Sequence, residues 1–221
     1  MPKVSEEYFE NKRNEIIDAA IKIALTKSLS SMTLKDVRDE IGMARGGMYR
    51  YFNNLDEILG EVIIKANQET SYIDEVEKIL VDKKATSKKP ATVIKNLCEF
   101  FSEYTTTLTP EYAQLSIQFD IFIIHEPERV MKIMEYIQER NVNSASFLAN
   151  ALLNYIKAET KKGTIKPVMP AEKLVEYFFT IYEGILLKYC ITLKIVHADS
   201  FDIESSFTAL YHTIVSLLGC K

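Results

Sequence analysis

A chain of 221 residues, 47% hydrophobic and 26% charged, has the make-up of a soluble globular protein with a core of its own; it is longer than one small domain and shorter than two large ones. Seven glycines and six prolines are few, and the long periodic runs between them argue for an all-helical chain. The formal net charge of −4 is not that of a uniformly basic nucleic-acid binder, but the charge is uneven: residues 1–52 hold nine Lys/Arg against eight Asp/Glu, and the remainder 18 against 23.

Residues 5–27 read as a first helix with an apolar stripe of Phe9, Ile16, Ala20 and Ala24. Lys12 and Arg13, near its start, are placed either to reach phosphates or simply to be solvated. The stretch 33–52 carries the densest local signals. Thr33 is an N-cap with Asp36 three residues on, and Leu34, Val37 and Ile41 share one helical face. Gly42 follows where a helix stop needs a residue tolerant of positive φ. A second helix over 44–51 turns Met48 and Phe52 back toward that apolar face. It leaves Arg45, Gly46, Gly47, Tyr49, Arg50 and Tyr51 on the remaining surface. A helix, a glycine turn and a short helix make the layout of a DNA-reading helix-turn-helix.

A fourth helix is expected over 54–81, burying Leu55, Ile58, Leu59, Val62 and Ile63 and joining a DNA-reading head to a body. Lys83, Lys84, Lys88 and Lys89 sit in a basic loop that ends at Pro90 and reads as solvated. Further helices are expected over 91–108, 110–125, 127–162 (the longest), 171–196 and 201–218. The last two are apolar on so much of their surface that two from each of two subunits make a four-helix bundle, that is, a homodimer.

The run Gly-Met-Ala-Arg-Gly-Gly-Met-Tyr-Arg-Tyr-Phe over 42–52 resembles the recognition-helix signature of the TetR/AcrR family of bacterial transcription regulators. The resemblance covers about the first 60 residues; beyond them only length and helical character agree. Three positions depart from the family pattern: Ala44 replaces a hydroxyl residue, Leu55 a phosphate-contacting lysine, and Arg38 a small residue.

The resemblance implies an all-α fold of about nine helices. It has a helix-turn-helix domain at 1–53 and a ligand-binding and dimerisation domain at 54–221, which pairs through the last two long helices. The implied DNA-reading set is Thr33, Lys35, Ala44, Arg45, Gly46, Gly47, Tyr49, Arg50 and Tyr51. Arg45 is the expected base reader, because arginine can grip guanine with two parallel hydrogen bonds. Tyr49 and Tyr51 are expected on the DNA backbone, with Arg50 as well suited to phosphate. Gly46 and Gly47 are poor helix formers, which fits close approach to the major-groove floor or a mere irregularity of the helix.

A cavity for a small apolar or aromatic effector is implied, walled by some of Phe100, Phe101, Tyr104, Phe119, Phe122, Tyr155, Phe178 and Tyr182. Tyr189, Phe207, Leu210, Ile214 and Leu217 are the expected dimer contacts. The partners expected are therefore double-stranded operator DNA, an effector and a second copy of the chain. The function expected is that of a repressor released by its effector.

A helical enzyme or carrier is the competing class, and so is an effector-independent DNA-binding protein. The phosphate-loop, dinucleotide-binding, Cys-x-x-Cys, Gly-x-Ser-x-Gly and His-Glu-x-x-His patterns are not found. The residues three before His125, His197 and His212 are Phe122, Lys194 and Ala209, so the Glu-x-x-His pairs of a di-iron bundle are missing too. No enzyme activity, metal or cofactor is expected. Cys98, Cys190 and Cys220 show no paired spacing, which fits a reducing cytoplasm. The charged N-terminus has no apolar signal core. The most apolar run, 184–196, is broken by Lys188 and Lys194 and is too short to span a bilayer, so no membrane partner is expected.

Overall fold

Caps and prolines set most of the helix starts. The computed structural model describes residues 5–69, 71–108, 110–140, 144–195 and 201–220, and every regular element among them is helical. Ser5 caps α1 (Glu6–Ala24) and Thr33 caps α2 (Leu34–Glu40), with a short 3-10 turn (Leu29–Ser31) between them. After α2 come α3 (Arg45–Met48), α4 (Leu55–Glu69), α5 (Ile73–Leu80) and α6 (Lys83–Thr86). Pro90, Pro110 and Pro127 open α7 (Pro90–Thr107), α8 (Pro110–His125) and α9 (Pro127–Gln138), where a missing backbone N–H costs nothing. The chain ends with α10 (Ser144–Lys162), α11 (Ala171–Ile195) and α12 (Ile203–Leu218), the last capped by Asp202.

Two of the expected helices are each two. The fourth ends at Glu69 and restarts as α5 at Ile73, where Tyr72 stands outside helical geometry as the N-cap with its ring against those of Phe101 and Tyr104. The seventh is split into α9 and α10, and its expected middle at 141–143 lies outside the described residues. The longest described helix is therefore α11, with 25 residues.

The chain forms two compact units, and compactness does not divide it at 53/54. The first unit combines residues 1–70 with 111–142; the second combines 71–110 with 143–221. In the first, α4, α8 and α9 fold with the helix-turn-helix around a core that includes Ile16, Val37, Met48, Phe52, Ile58, Phe122 and Ile133. Polar contacts hold α8 there: Gln114 donates to the Leu25 carbonyl at 2.9 Å and Gln118 to that of Ala24, satisfying the carbonyls that end α1. Arg129 of α9 pairs with Asp56 of α4 at 2.6 Å.

In the second unit α12 lies along α7, and Val93, Leu97, Phe101, Leu152, Phe178, Phe207, Leu210 and Ile214 share one core. The C-terminal end of α12 is closed by the segment after α10: the Lys166 and Val168 N–H groups donate to Leu218 and Leu217 at 3.0 and 2.9 Å. Gly219 makes this approach possible. Its φ is +59°, and a Cβ there would sit 2.4 Å from the Lys166 carbonyl oxygen. Gly219→Ala is expected to destabilise the protein by about 2 kcal/mol or more, read as a lowered melting temperature. Among the described residues no helix is long and apolar enough to cross a membrane, and no group of His, Cys, Asp and Glu is arranged to hold a metal ion.

Candidate nucleic-acid interface

The helix-turn-helix starts from a reciprocal cap. The Thr33 hydroxyl accepts from the Asp36 N–H at 3.2 Å, and the Asp36 carboxylate accepts from the Thr33 N–H at 2.8 Å. The Lys27 ammonium lies 2.7 Å from that carboxylate and, together with Thr33, holds the Asp36 carboxyl down to about 2. The first helix of the motif thus keeps its cap charged at any ordinary pH. Val37 of α2 is buried, Gly42 turns the chain at φ +64°, and the Met43 N–H returns to the Arg38 carbonyl at 3.0 Å.

The second helix is shorter than the expected 44–51. Ala44 has no hydroxyl to cap it, two glycines follow, and only Arg45–Met48 is α-helical. The chain then tightens: the Arg50 N–H bonds to Gly47 and the Tyr51 N–H to Met48, at 3.3 and 2.9 Å. Met48 and Phe52 are buried as the periodicity demands.

Thr33, Lys35, Ala44, Gly46, Tyr49 and Arg50 are exposed, Tyr49 by 52%. The motif thus buries its apolar side and presents the Tyr49 hydroxyl, two cations and an open glycine, while the Thr33 hydroxyl donates its proton to the Asp36 carboxylate at 2.7 Å within the cap. A Cβ on Gly46 would meet nothing within 4 Å, whereas one on half-buried Gly47 would press to 2.9 Å from Met43 Cγ. Gly47 therefore has a packing reason within the chain, and Gly46 has none. Arg45 begins α3, and its side chain lies outside what the structure describes.

Tyr51 differs from the rest of the expected set. It is half-buried with its ring 4.9 Å from that of Phe9, so it fastens the motif to α1. Arg13 is turned inward, over the Phe52 ring at 4.2 Å and onto Glu61 at 2.8 Å, and Lys12 pairs with Glu15. Neither is a bare cation for phosphate. At the family lysine position, Leu55 is half-buried at the start of α4, beside an Asn54 cap on the Glu57 N–H at 2.9 Å. Arg38 lies 2.5 Å from Asp39.

The aromatic residues expected to wall a cavity do not share one cluster. Phe119 and Phe122 belong to the core of the first unit, the others to that of the second. There Phe101 is the hub, with the rings of Phe100, Tyr104, Phe178 and Tyr182 at 5.0–6.1 Å. Tyr72, which the sequence did not single out, joins it at 5.5 Å. Burial pushes the Tyr72 phenol up to about 12 and raises that of Tyr182 as well. Tyr155 is buried, and its hydroxyl has no hydrogen-bond partner among the described residues.

Of the expected dimer contacts, Phe207, Leu210 and Ile214 are spent inside the chain's own core, and Tyr189 and Leu217 are half-buried. An apolar helical face records burial but not which chain buries it. The exposed face of α11 carries Thr180, Gly184, Leu187 and Ile191 at helical spacing.

Residues 16–62, from the middle of α1 through the motif into α4, match the model of the bacterial regulatory proteins, tetR family. That stretch of the chain is a helix-turn-helix segment of the tetR type. YfiR of Bacillus subtilis (strain 168), described as an uncharacterized HTH-type transcriptional regulator, is 23% identical to it over 185 residues, 84% of this chain and 83% of that one. GusR of Salmonella enterica superposes with a TM-score of 0.66 at 17% identity, covering 99% of this chain and 100% of its own. FadR of Thermus thermophilus, a TetR-family transcriptional repressor solved with lauroyl-CoA, superposes at 0.54 and 14% identity, covering 92% and 93%. These identities make the structural likeness one of fold. The tetR-type segment and the likeness to an HTH-type regulator over 84% of the chain agree on a helix-turn-helix at its N-terminal end.

Proposed function

We propose that the chain is a regulator of the tetR family, a homodimeric, cytoplasmic repressor that binds an operator in double-stranded DNA and is released by a small apolar or aromatic effector. The observation that carries the reading is the exposed face of the motif, where Thr33, Lys35, Tyr49 and Arg50 stand on elements whose other sides are buried. Hydroxyls and cations of this kind place a protein on phosphates. Arg45, at the first position of α3, is the base reader, with Ala44 and Gly46 letting the backbone approach, Gly47 leaving room for Met43 and Tyr51 bracing the turn from behind.

Residues 1–53 do the reading in this proposal, and 54–221 bind effector and pair the subunits. The Phe101 ring cluster is the apolar, aromatic environment that a flat effector suits, and FadR's lauroyl-CoA supports a small-molecule ligand for a protein of this fold. The exposed α11 face, with α12 beside it, is the pairing surface. Two heads must enter major grooves about 34–36 Å apart. An effector that prefers another spacing lowers operator affinity by its differential binding energy alone, with no bond made or broken, so the protein acts as a regulator and not as an enzyme.

Footprinting of the purified protein on the DNA upstream of its own gene tests this. Two protected half-sites about one helical turn apart are expected; no protection on that DNA or on genomic fragments would end the operator reading. Tyr49→Phe is expected to weaken binding by about 1 kcal/mol on specific and random DNA alike, without changing the salt dependence, because a neutral phosphate contact is lost. A titration of both DNAs at several salt concentrations checks it.

A further inference from the structure

Glu61 sits among Ile58, Leu59 and Val62 on the inward face of α4 and is itself buried. One oxygen, Oε1, accepts from three donors: Arg13 Nη2 of α1 at 2.8 Å, the Tyr136 hydroxyl of α9 at 2.8 Å, and Arg140 Nη1 just beyond α9. A buried carboxylate is tolerable only when paired and hydrogen-bonded, so this oxygen fixes the groups around it.

Arg13 does not end there. Its Nη1 donates to the Tyr51 carbonyl at 2.7 Å, and its guanidinium lies over the Phe52 ring. One planar fork therefore holds the end of the reading motif with one nitrogen and the α4 carboxylate with the other. On the far side the Tyr136 ring lies against Gly60, where a Cβ would come within 2.6 Å of its Cδ1, and the Arg140 guanidinium covers the same ring at 4.5 Å. Burial, and then the carboxylate it donates to, push the Tyr136 phenol up to about 12, so it stays a donor near neutral pH.

We propose that Arg13 and Glu61 are positioning residues for DNA reading, and that α9 sets the placement of the reading motif through them. A displacement of Tyr136 or Arg140 changes how Glu61 holds Arg13. Arg13 in turn holds the Tyr51 carbonyl, directly after exposed Tyr49 and Arg50. Hydrogen bonds weaken steeply with angle and distance, so the chain of contacts passes on small movements instead of absorbing them. The regulatory part of the inference rests on the operator reading above.

The test uses the full chain with Tyr136→Phe, Arg140→Gln and Arg13→Lys, none of which removes a residue of the exposed DNA-facing surface. Operator affinity is measured well below each variant's melting transition, and amide hydrogen exchange is followed over residues 48–53. Each α9 variant is expected to weaken operator binding about fivefold or more, the lower end of ordinary coupling, with an unchanged salt slope because no phosphate contact is lost. Each is also expected to speed exchange at 48–53. Arg13→Lys keeps the charge but loses the fork, and combining it with Arg140→Gln is expected to add nothing, since both act through one guanidinium. Variants of α9 that lower the melting temperature yet leave affinity and exchange at 48–53 as in the unmodified chain would overturn the inference. If the unmodified chain binds no DNA, the operator reading fails, and exchange at 48–53 still decides whether α9 is linked to the motif.

Discussion

Leu210→Glu is expected to unfold the second unit, whereas Leu187→Glu is expected to leave it folded and dissolve the dimer. Leu210 is 2% exposed, packed in the core that α12 shares with α7. Replacing it forfeits about 1.5–3 kcal/mol of apolar burial and places an unpaired carboxylate in a dry site, so the total exceeds about 4–5 kcal/mol. That is a large part of the roughly 5–15 kcal/mol that keeps a domain folded. Leu187 is 44% exposed on the outward face of α11, with Ile191 one turn on at 42%. A charge there meets water in the monomer and is buried without a partner only when two copies pair.

Circular dichroism is expected to show lost helix for Leu210→Glu and full helix for Leu187→Glu, with the latter sedimenting as a monomer. Because two linked heads gain effective concentration, the monomer is expected to lose about 10²-fold or more in operator affinity. A Leu187→Glu protein that remains a dimer would move the pairing surface elsewhere. An unmodified chain that sediments as a monomer at micromolar concentration would remove the two-headed mechanism altogether.

The contrast between these two leucines shows how far the residues alone could be read. Short-range signals translated directly: the Thr33–Asp36 cap, the positive φ of Gly42 and the inward turn of Met48 and Phe52 are each decided by a few neighbours. Periodicity also found the α12 face of Phe207, Leu210 and Ile214, but a period cannot say whether that face meets the chain's own α7 or a partner. The breaks after Glu69 and Gln138 carry neither glycine nor proline at the helix end, so no local signal marks them.

The Glu61 hub was invisible for a different reason. Arg13, Glu61, Tyr136 and Arg140 are 48 to 79 residues apart where they meet Glu61, and each read by itself is an ordinary helix-surface residue. The one available signal was a glutamate in the inward phase of the α4 repeat, between Ile58 and Val62. The exposed face of the motif was legible because it needs no distant partner.

Gly46→Ala is expected to leave the protein as stable as before or more so, and to weaken operator binding by about 1–3 kcal/mol, the usual cost of forcing a methyl group into a closed contact. Two opposed effects make the sign informative. Within the chain, alanine is the better helix former by about 1 kcal/mol, and the new Cβ meets nothing within 4 Å. A pair of glycines in a helix of only four residues is costly to keep, and nothing in the protein's own packing calls for the first of them. Close approach of the α3 backbone to base edges would call for it, since any side chain at an exposed position holds the helix off the groove floor.

Gly47→Ala is the control. Its Cβ would lie 2.9 Å from Met43 Cγ, so the helix gain of alanine is offset by displacing that side chain, and that variant is expected to melt below Gly46→Ala. Melting curves of both variants beside operator titrations separate the two glycines. A Gly46→Ala protein that melts higher and binds its operator as tightly as the unmodified chain would show that position 46 stands clear of the DNA. The reading contacts would then have to be sought on the Thr33, Lys35, Tyr49 and Arg50 side of the motif alone.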